Sequence, residues 1–192
     1  MGTELLFITT NEWKVGFANR RLNKYGIKVK RHSARLIEPQ EIDARDVAVH
    51  KAQQILASMK KPFIVEDTGL YVKALSGFPG AFIKPILDTI GDAKFLELMR
   101  GQKRRDATIR SILVYGNPKR GELKVFTGEC PGRLALYPKG KLYNGWTLSK
   151  IFIPYKKNKT LAQLNKAEYL DFISMLEKND HYEKFGKWIT RG

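Results

Sequence analysis

One cysteine in 192 residues, Cys130, leaves no partner for an internal disulfide and fits a reducing compartment. Histidine is nearly as scarce. His32, His50 and His181 stand at no metal-ligand spacing from one another or from Cys130, so no zinc or redox-metal site is expected. No apolar run approaches the ~18 residues that cross a bilayer, and no basic-then-apolar leader opens the chain. The expected protein is neither membrane-spanning nor exported, and cytoplasmic. Internal repeats and Pro/Ser-rich linkers are also missing, so residues 1–192 read as a single domain, long enough to bury a core without disulfide or structural metal. Acidic residues are the scarcer sign: 19 Asp+Glu against 35 Lys+Arg, a net charge of +16. Residues 1–100 hold sixteen basic and eleven acidic residues, and residues 101–192 hold nineteen and eight. That surplus implies an anionic partner. It does not choose between a polyphosphate pocket and a nucleic-acid groove, and lysines spread over a solvated surface would give the same sum.

With 43% hydrophobic and 28% charged residues the composition is that of a folded globular protein. Glu4-Leu5-Leu6-Phe7-Ile8-Thr9 reads as a buried first strand. Val15, Phe17, Ala18 and Leu22 recur at helical spacing after Asn11, and Tyr25-Gly26 ends that helix. Ile27-Lys28-Val29-Lys30 alternates as a strand does, and Asp43 to Met59 carries a helical stripe. Pro62-Phe63-Ile64-Val65 is a second buried strand leading into Glu66-Asp67-Thr68-Gly69. Beyond the Gly77-Phe78-Pro79-Gly80 loop the pattern predicts helices over 82–90 and 92–100. It then predicts strands over 106–115 and 121–129 around Gly116-Asn117-Pro118, a strand at Ile151-Phe152-Ile153, and helix from Lys166 to Ile189. The order predicts an α/β protein with a mixed sheet.

Three segments can carry chemistry. Thr9-Thr10-Asn11-Glu12-Trp13-Lys14 lies where a strand ends and a helix begins, the place where open α/β sheets bind ligands and unpaired N–H groups attract phosphate. An ordinary N-cap followed by a surface lysine gives the same pattern. Glu66-Asp67-Thr68-Gly69-Leu70 sets two acids directly after a buried strand, which is costly unless a divalent cation or a lysine compensates them. Gly69 is expected to supply a sharp turn. From Glu38 to Lys51, Glu41 precedes a helix carrying His50 and Lys51, so an acid and a base can flank one cleft. Glu41 can equally be favoured there by the helix dipole.

Together these segments resemble the inosine-triphosphate pyrophosphatase (Ham1-like) family, which hydrolyses nonstandard purine nucleoside triphosphates. Thr9-Thr10-Asn11-Glu12-Trp13-Lys14 matches the family's Thr-Gly-Asn-x-x-Lys. Glu41-Ile42-Asp43 and His50-Lys51-Ala52 follow in order, and the run from Glu66 through Gly80-Ala81-Phe82-Ile83-Lys84 is the longest match. Phe126-Thr127-Gly128 and Gly132-Arg133-Leu134 look like a later strand pair of the family. The resemblance implies an elongated two-lobed mixed-sheet fold with flanking helices and a central cleft, usually a homodimer. It also implies magnesium-dependent cleavage of a nucleoside triphosphate to the monophosphate and pyrophosphate. On it, Glu41 and Asp67 would bind Mg2+, and Asp67 would take the proton of the attacking water. Thr9, Thr10, Asn11, Lys14, Lys51, Thr68 and Lys84 would hold the triphosphate, and Trp146 would stack on the base.

The second half departs from the family pattern. Gly145-Trp146 is followed by Thr147-Leu148-Ser149-Lys150-Ile151-Phe152 in place of Asp-Pro-hydrophobic-Phe. Gln163 stands where a Glu is expected, and Ile173-Ser174 continues into Met175-Leu176 rather than His-Arg, with Lys178-Asn179 and His181 a few residues on. Near the start, Thr10 and Phe17 replace the usual Gly and Glu. The departures fall on base recognition. They leave open altered base selectivity or a relative that binds nucleotides without turnover. A third reading, a nucleic-acid-binding protein, would use Lys103-Arg104-Arg105 and Lys156-Lys157-Asn158-Lys159, with Tyr143, Trp146 and Tyr155 stacking on bases.

Overall fold

The computed structural model describes residues 3–142 and 146–191; Tyr143 and Gly145, named above, lie outside the described residues. The apolar opening run forms β1 (Thr3–Ile8), followed by α1 (Glu12–Leu22) and a 3₁₀ turn whose Gly26 takes φ 66°, the left-handed conformation glycine allows. β2 (Ile27–His32) leads through a coil to α2 (Ala44–Leu56), capped by the Asp43 side chain. β3 (Phe63–Val72), β4 (Pro79–Gly80) and α3 (Ile83–Glu97) come next. The long strands β5 (Asp106–Asn117) and β6 (Glu122–Leu134) precede β7 (Phe152–Pro154), α4 (Lys166–Leu176) and α5 (His181–Ile189).

The strand order is β2-β1-β3-β5-β6-β7, with β4 paired to β3. β1 runs parallel to β2 and β3, whereas β4 is antiparallel to β3 and β7 to β6. The fold is therefore the mixed α/β sheet with helices that the sequence predicts. Two compact units divide it: Met1–Asp67, Ser111–Gly128 and Glu177–Gly192 in the first, Thr68–Arg110 and Glu129–Leu176 in the second. Each has its own core. Leu5, Phe7, Leu22, Ile64, Tyr182 and Phe185 pack in the first. Leu70, Phe95, Met99, Ile151, Phe152 and Phe172 pack in the second. Among the described residues no helix is long and apolar enough to cross a membrane.

Three local expectations change. β3 does not stop at Val65 but continues through both acids to Val72. Gly69 accordingly makes no turn. It sits inside the strand, where a Cβ would come within 2.9 Å of the Gly80 carbonyl carbon, so it is glycine for close approach of β4. Gly116 and Asn117 likewise belong to β5, and the turn follows them, closing with Gly121 at φ 63°. A Cβ on Gly116 would meet the Phe63 ring at 2.2 Å. The two helices expected over 82–100 are both present, end to end in α3 and separated at Gly91 (φ 79°, ψ 169°). Conversely, the helix expected from Lys166 to Ile189 is two. Asp180 accepts from the Glu183 N–H at 2.8 Å and so starts α5 afresh, while its other oxygen pairs with the buried Arg21 at 2.9 Å.

Candidate functional site

In the first unit, β1 ends at Ile8 and the chain turns into α1 within three residues. Asn11 makes this turn, its Oδ1 accepting from the N–H of Trp13 (3.0 Å) and Lys14 (3.4 Å). The Asn11 N–H donates to Thr9 Oγ1 at 3.1 Å; Thr9 is half-buried, whereas Thr10 and Asn11 are exposed. A helix N-terminus of this kind carries partial positive charge. One turn in, the Lys14 ammonium donates to the Glu66 carbonyl oxygen at 3.3 Å and lies 3.5 Å from Glu66 Oε1.

Glu66 is a charge built into the first unit. Its side chain is 9% exposed, a setting that opposes ionisation more than any other single influence. Lys14, then His181 and Tyr182, outweigh that penalty and hold the carboxyl down to about 2. The Tyr182 hydroxyl donates to Glu66 Oε2, and His181 Nε2 lies 3.8 Å from the same oxygen. The next residue, Asp67, meets the second lysine: Lys51 Nζ, on α2, stands 3.2 Å from Asp67 Oδ2 and 2.7 Å from Glu38 Oε1. Burial works against the Lys51 charge, but Asp67 and Glu38 together raise its pKa above the ordinary lysine value.

Among the residues singled out in the sequence, the structure thus brings together Lys51 with Asp67 and Lys14 with the neighbouring Glu66. Glu41 lies exposed in the coil before α2, and the acid of that coil that reaches Lys51 is Glu38. Thr68, half-buried, follows Asp67 in β3 as the first residue of the second unit. Also in the second unit, Lys84 is exposed on the first turn of α3 and pairs with Asp88 at 2.5 Å. Trp146 is exposed and accepts from Ser149 at its carbonyl. Sequence reasoning left out Glu38, Tyr182 and the anchoring role of Glu66. One signal was present: Asp180-x-x-Glu183 has the spacing that opens a helix, and it places Tyr182 in a first turn.

Among the described residues no group of three or more His, Cys, Asp or Glu side chains is arranged to hold a metal ion. The donors at hand are carboxylate oxygens, Asp67 foremost. That suits magnesium, which is held by one or two carboxylates together with substrate phosphates and water rather than by an all-protein cage. The site therefore offers two lysines and a helix N-terminus for anionic oxygens, with an acid on the adjoining strand.

The model of the Ham1 family matches residues 5–174. A dITP/XTP pyrophosphatase of Methanopyrus kandleri is 35% identical over 185 residues, 96% of this chain and 95% of its own length. That of Thermococcus kodakarensis is 34% identical over 164 residues, 85% and 86% of the two chains. Among solved structures, a HAM1 protein from Coxiella burnetii superposes with a TM-score of 0.80 at 20% identity, covering 99% of this chain and all of that one. A nucleoside-triphosphatase / dITP/XTP pyrophosphatase from Mycobacterium abscessus gives 0.75 at 24% identity, covering 92% and 96%. The fold agrees with those structures, and the sequence match runs from β1 into α4 through every segment that supplies Asn11, Lys14, Lys51, Glu66 and Asp67. The chain belongs to the Ham1 family.

Proposed function

We propose that this protein is a nucleoside-triphosphate pyrophosphatase, cleaving between the α and β phosphates to release pyrophosphate and the monophosphate. The observation that carries this reading is the pairing of two adjacent acids within β3 with lysines on α1 and α2: Lys14 beside Glu66, Lys51 beside Asp67, next to the helix start capped by Asn11. Two ammonium groups and a helix N-terminus suit a triphosphate, each lysine serving as a point charge rather than a planar fork. The names of the relatives, dITP/XTP pyrophosphatase, support the same class of substrate.

In this reading the water oxygen bonds to the α-phosphorus, the bridging oxygen leaves with pyrophosphate, and Asp67 accepts the proton of the water. Lys14 and Lys51 hold phosphate oxygens, with the positioning and charge stabilisation that dominate phosphoryl transfer. Asp67, with Glu41 or Glu38 from the coil before α2, would hold Mg2+. When bound, that ion neutralises phosphate charge and polarises the bond to the leaving group. The loss of the His-Arg pair at Met175-Leu176 removes hydrogen-bond donors and leaves apolar surface, so base selectivity is looser than a hydrogen-bonding site gives.

The test is pyrophosphate release from ITP, XTP, dITP, ATP and GTP, with Mg2+ and with chelator. Expected are turnover only with the metal and an ITP-over-ATP ratio of kcat/KM below about 100. Binding without release on every triphosphate would make the protein a non-hydrolytic binder. A preference of several hundredfold for ITP would overturn the altered selectivity alone.

A further inference from the structure

Tyr182 is 1% exposed, its ring held in the core of the first unit and 5.9 Å from the Phe17 ring. Its hydroxyl is therefore a donor with little freedom to move, and it is spent on Glu66 Oε2. Glu66 faces three groups: Tyr182 and His181 at Oε2, and Lys14 at Oε1 and at its backbone carbonyl. A carboxylate whose one oxygen is fixed cannot rotate, so the other is held toward the Lys14 ammonium. Lys14 itself keeps a quarter of its side chain exposed, so it is anchored to Glu66 without being enclosed. His181 contributes less to this geometry. Its Nε2 lies beyond hydrogen-bond distance from Glu66, and its ring is tilted against that of Tyr182 with the centroids 4.3 Å apart.

We infer that Tyr182 is a positioning residue: its hydroxyl locks the buried Glu66 carboxylate, and Glu66 in turn holds the Lys14 ammonium where a triphosphate meets it. This rests on the triphosphate role of Lys14 proposed above. Nothing in the local sequence announces the link, since Tyr182 lies 116 residues from Glu66. A Tyr182→Phe protein keeps the buried ring and removes only the donor, so it separates packing from positioning.

The experiment is a double-mutant cycle on the full chain, with inorganic tripolyphosphate as titrant in a calorimeter at fixed ionic strength. Lys14→Met is expected to weaken binding about tenfold or more, and Tyr182→Phe about five- to tenfold, the scale of the net contribution of an ordinary intramolecular hydrogen bond. In the Lys14→Met background, Tyr182→Phe should change affinity less than about twofold, because the group it positions is gone. The same loss in both backgrounds, or unchanged affinity in Tyr182→Phe alone, overturns the positioning role. If Lys14→Met binds as tightly as the parent, the triphosphate role of Lys14 fails and this inference fails with it. Should Tyr182→Phe not fold by circular dichroism, the cycle is run with Glu66→Gln, the group through which Tyr182 acts on Lys14, and an equal loss in both backgrounds overturns the positioning role.

Discussion

Replacing Asp67 by Asn preserves the shape of β3 and a carbonyl within reach of Lys51, yet removes the proton acceptor. kcat is expected to fall ~10²- to 10⁴-fold, the range of a general base, with a much smaller change in KM; steady-state kinetics on ITP checks this. Glu66 makes a separate prediction through stability. Its folded-state pKa, about 2, lies below the ordinary 4.5, so its ionised form stabilises the fold fully above about pH 4.5. That contribution is lost as pH falls toward 2. The stability gap between the parent and Glu66→Gln, from urea denaturation, should therefore narrow by about 2 kcal/mol between pH 6 and pH 3. An unchanged gap would mean the carboxyl is not held ionised. At this scale the sequence shows the acid pair as an expensive feature needing a cation, because four apolar residues run straight into it. It cannot show which cation serves which acid. The Glu66–Tyr182 contact depends on a residue brought back by the last helix, and the Lys51–Glu38 pair depends on the path of an irregular coil.

The elements were legible wherever periodicity and turn chemistry agreed. β1, α1 with its Gly26 stop, and α2 all lie within a few residues of the expected bounds. The misread strand boundaries share a cause: a polar or glycine residue reads as a break, whereas a tertiary contact keeps the strand going. Glu66 and Asp67 stay in β3 because lysines meet them, and Gly69 and Gly116 stay in strands because Gly80 and Phe63 leave no room for a Cβ. Gly91 is the opposite case, a real interruption in α3. Helix propensity alone predicts that Gly91→Ala gains about 1 kcal/mol. The observed φ of 79° with ψ 169° belongs to a region essentially reserved for glycine, with a penalty on the order of 1–3 kcal/mol for alanine. Gly91→Ala is therefore expected to lower stability, seen as a reduced denaturation midpoint with unchanged slope. A raised midpoint would show that the break is not required.

At the scale of the whole molecule, the hydrophobic pattern gave the fold class, but no linker-like segment marks the two units, because neither is a continuous stretch of chain. The first is assembled from three segments, and β3, β5 and β6 each contribute residues to both units. A unit built this way cannot close its core until the last segment arrives. Residues 177–191 supply Tyr182 and Phe185, among the largest fully buried side chains of the molecule, and Asp180, the partner of the buried Arg21. A chain ending at residue 176 would leave Arg21 without Asp180 and open the space between Leu22, Tyr115 and Phe126 where Phe185 packs. Losing one large buried aromatic costs about 3–5 kcal/mol, and here two go together with an ion pair to a buried arginine. That sum approaches the entire stability of a domain. The expected result for the 1–176 chain is loss of the parent's cooperative thermal transition followed by circular dichroism, together with loss of tripolyphosphate binding, since Lys14 and Glu66 belong to the unit left open. A truncated chain that still melts cooperatively at the parent temperature would show that α5 is an appendage rather than part of the first core.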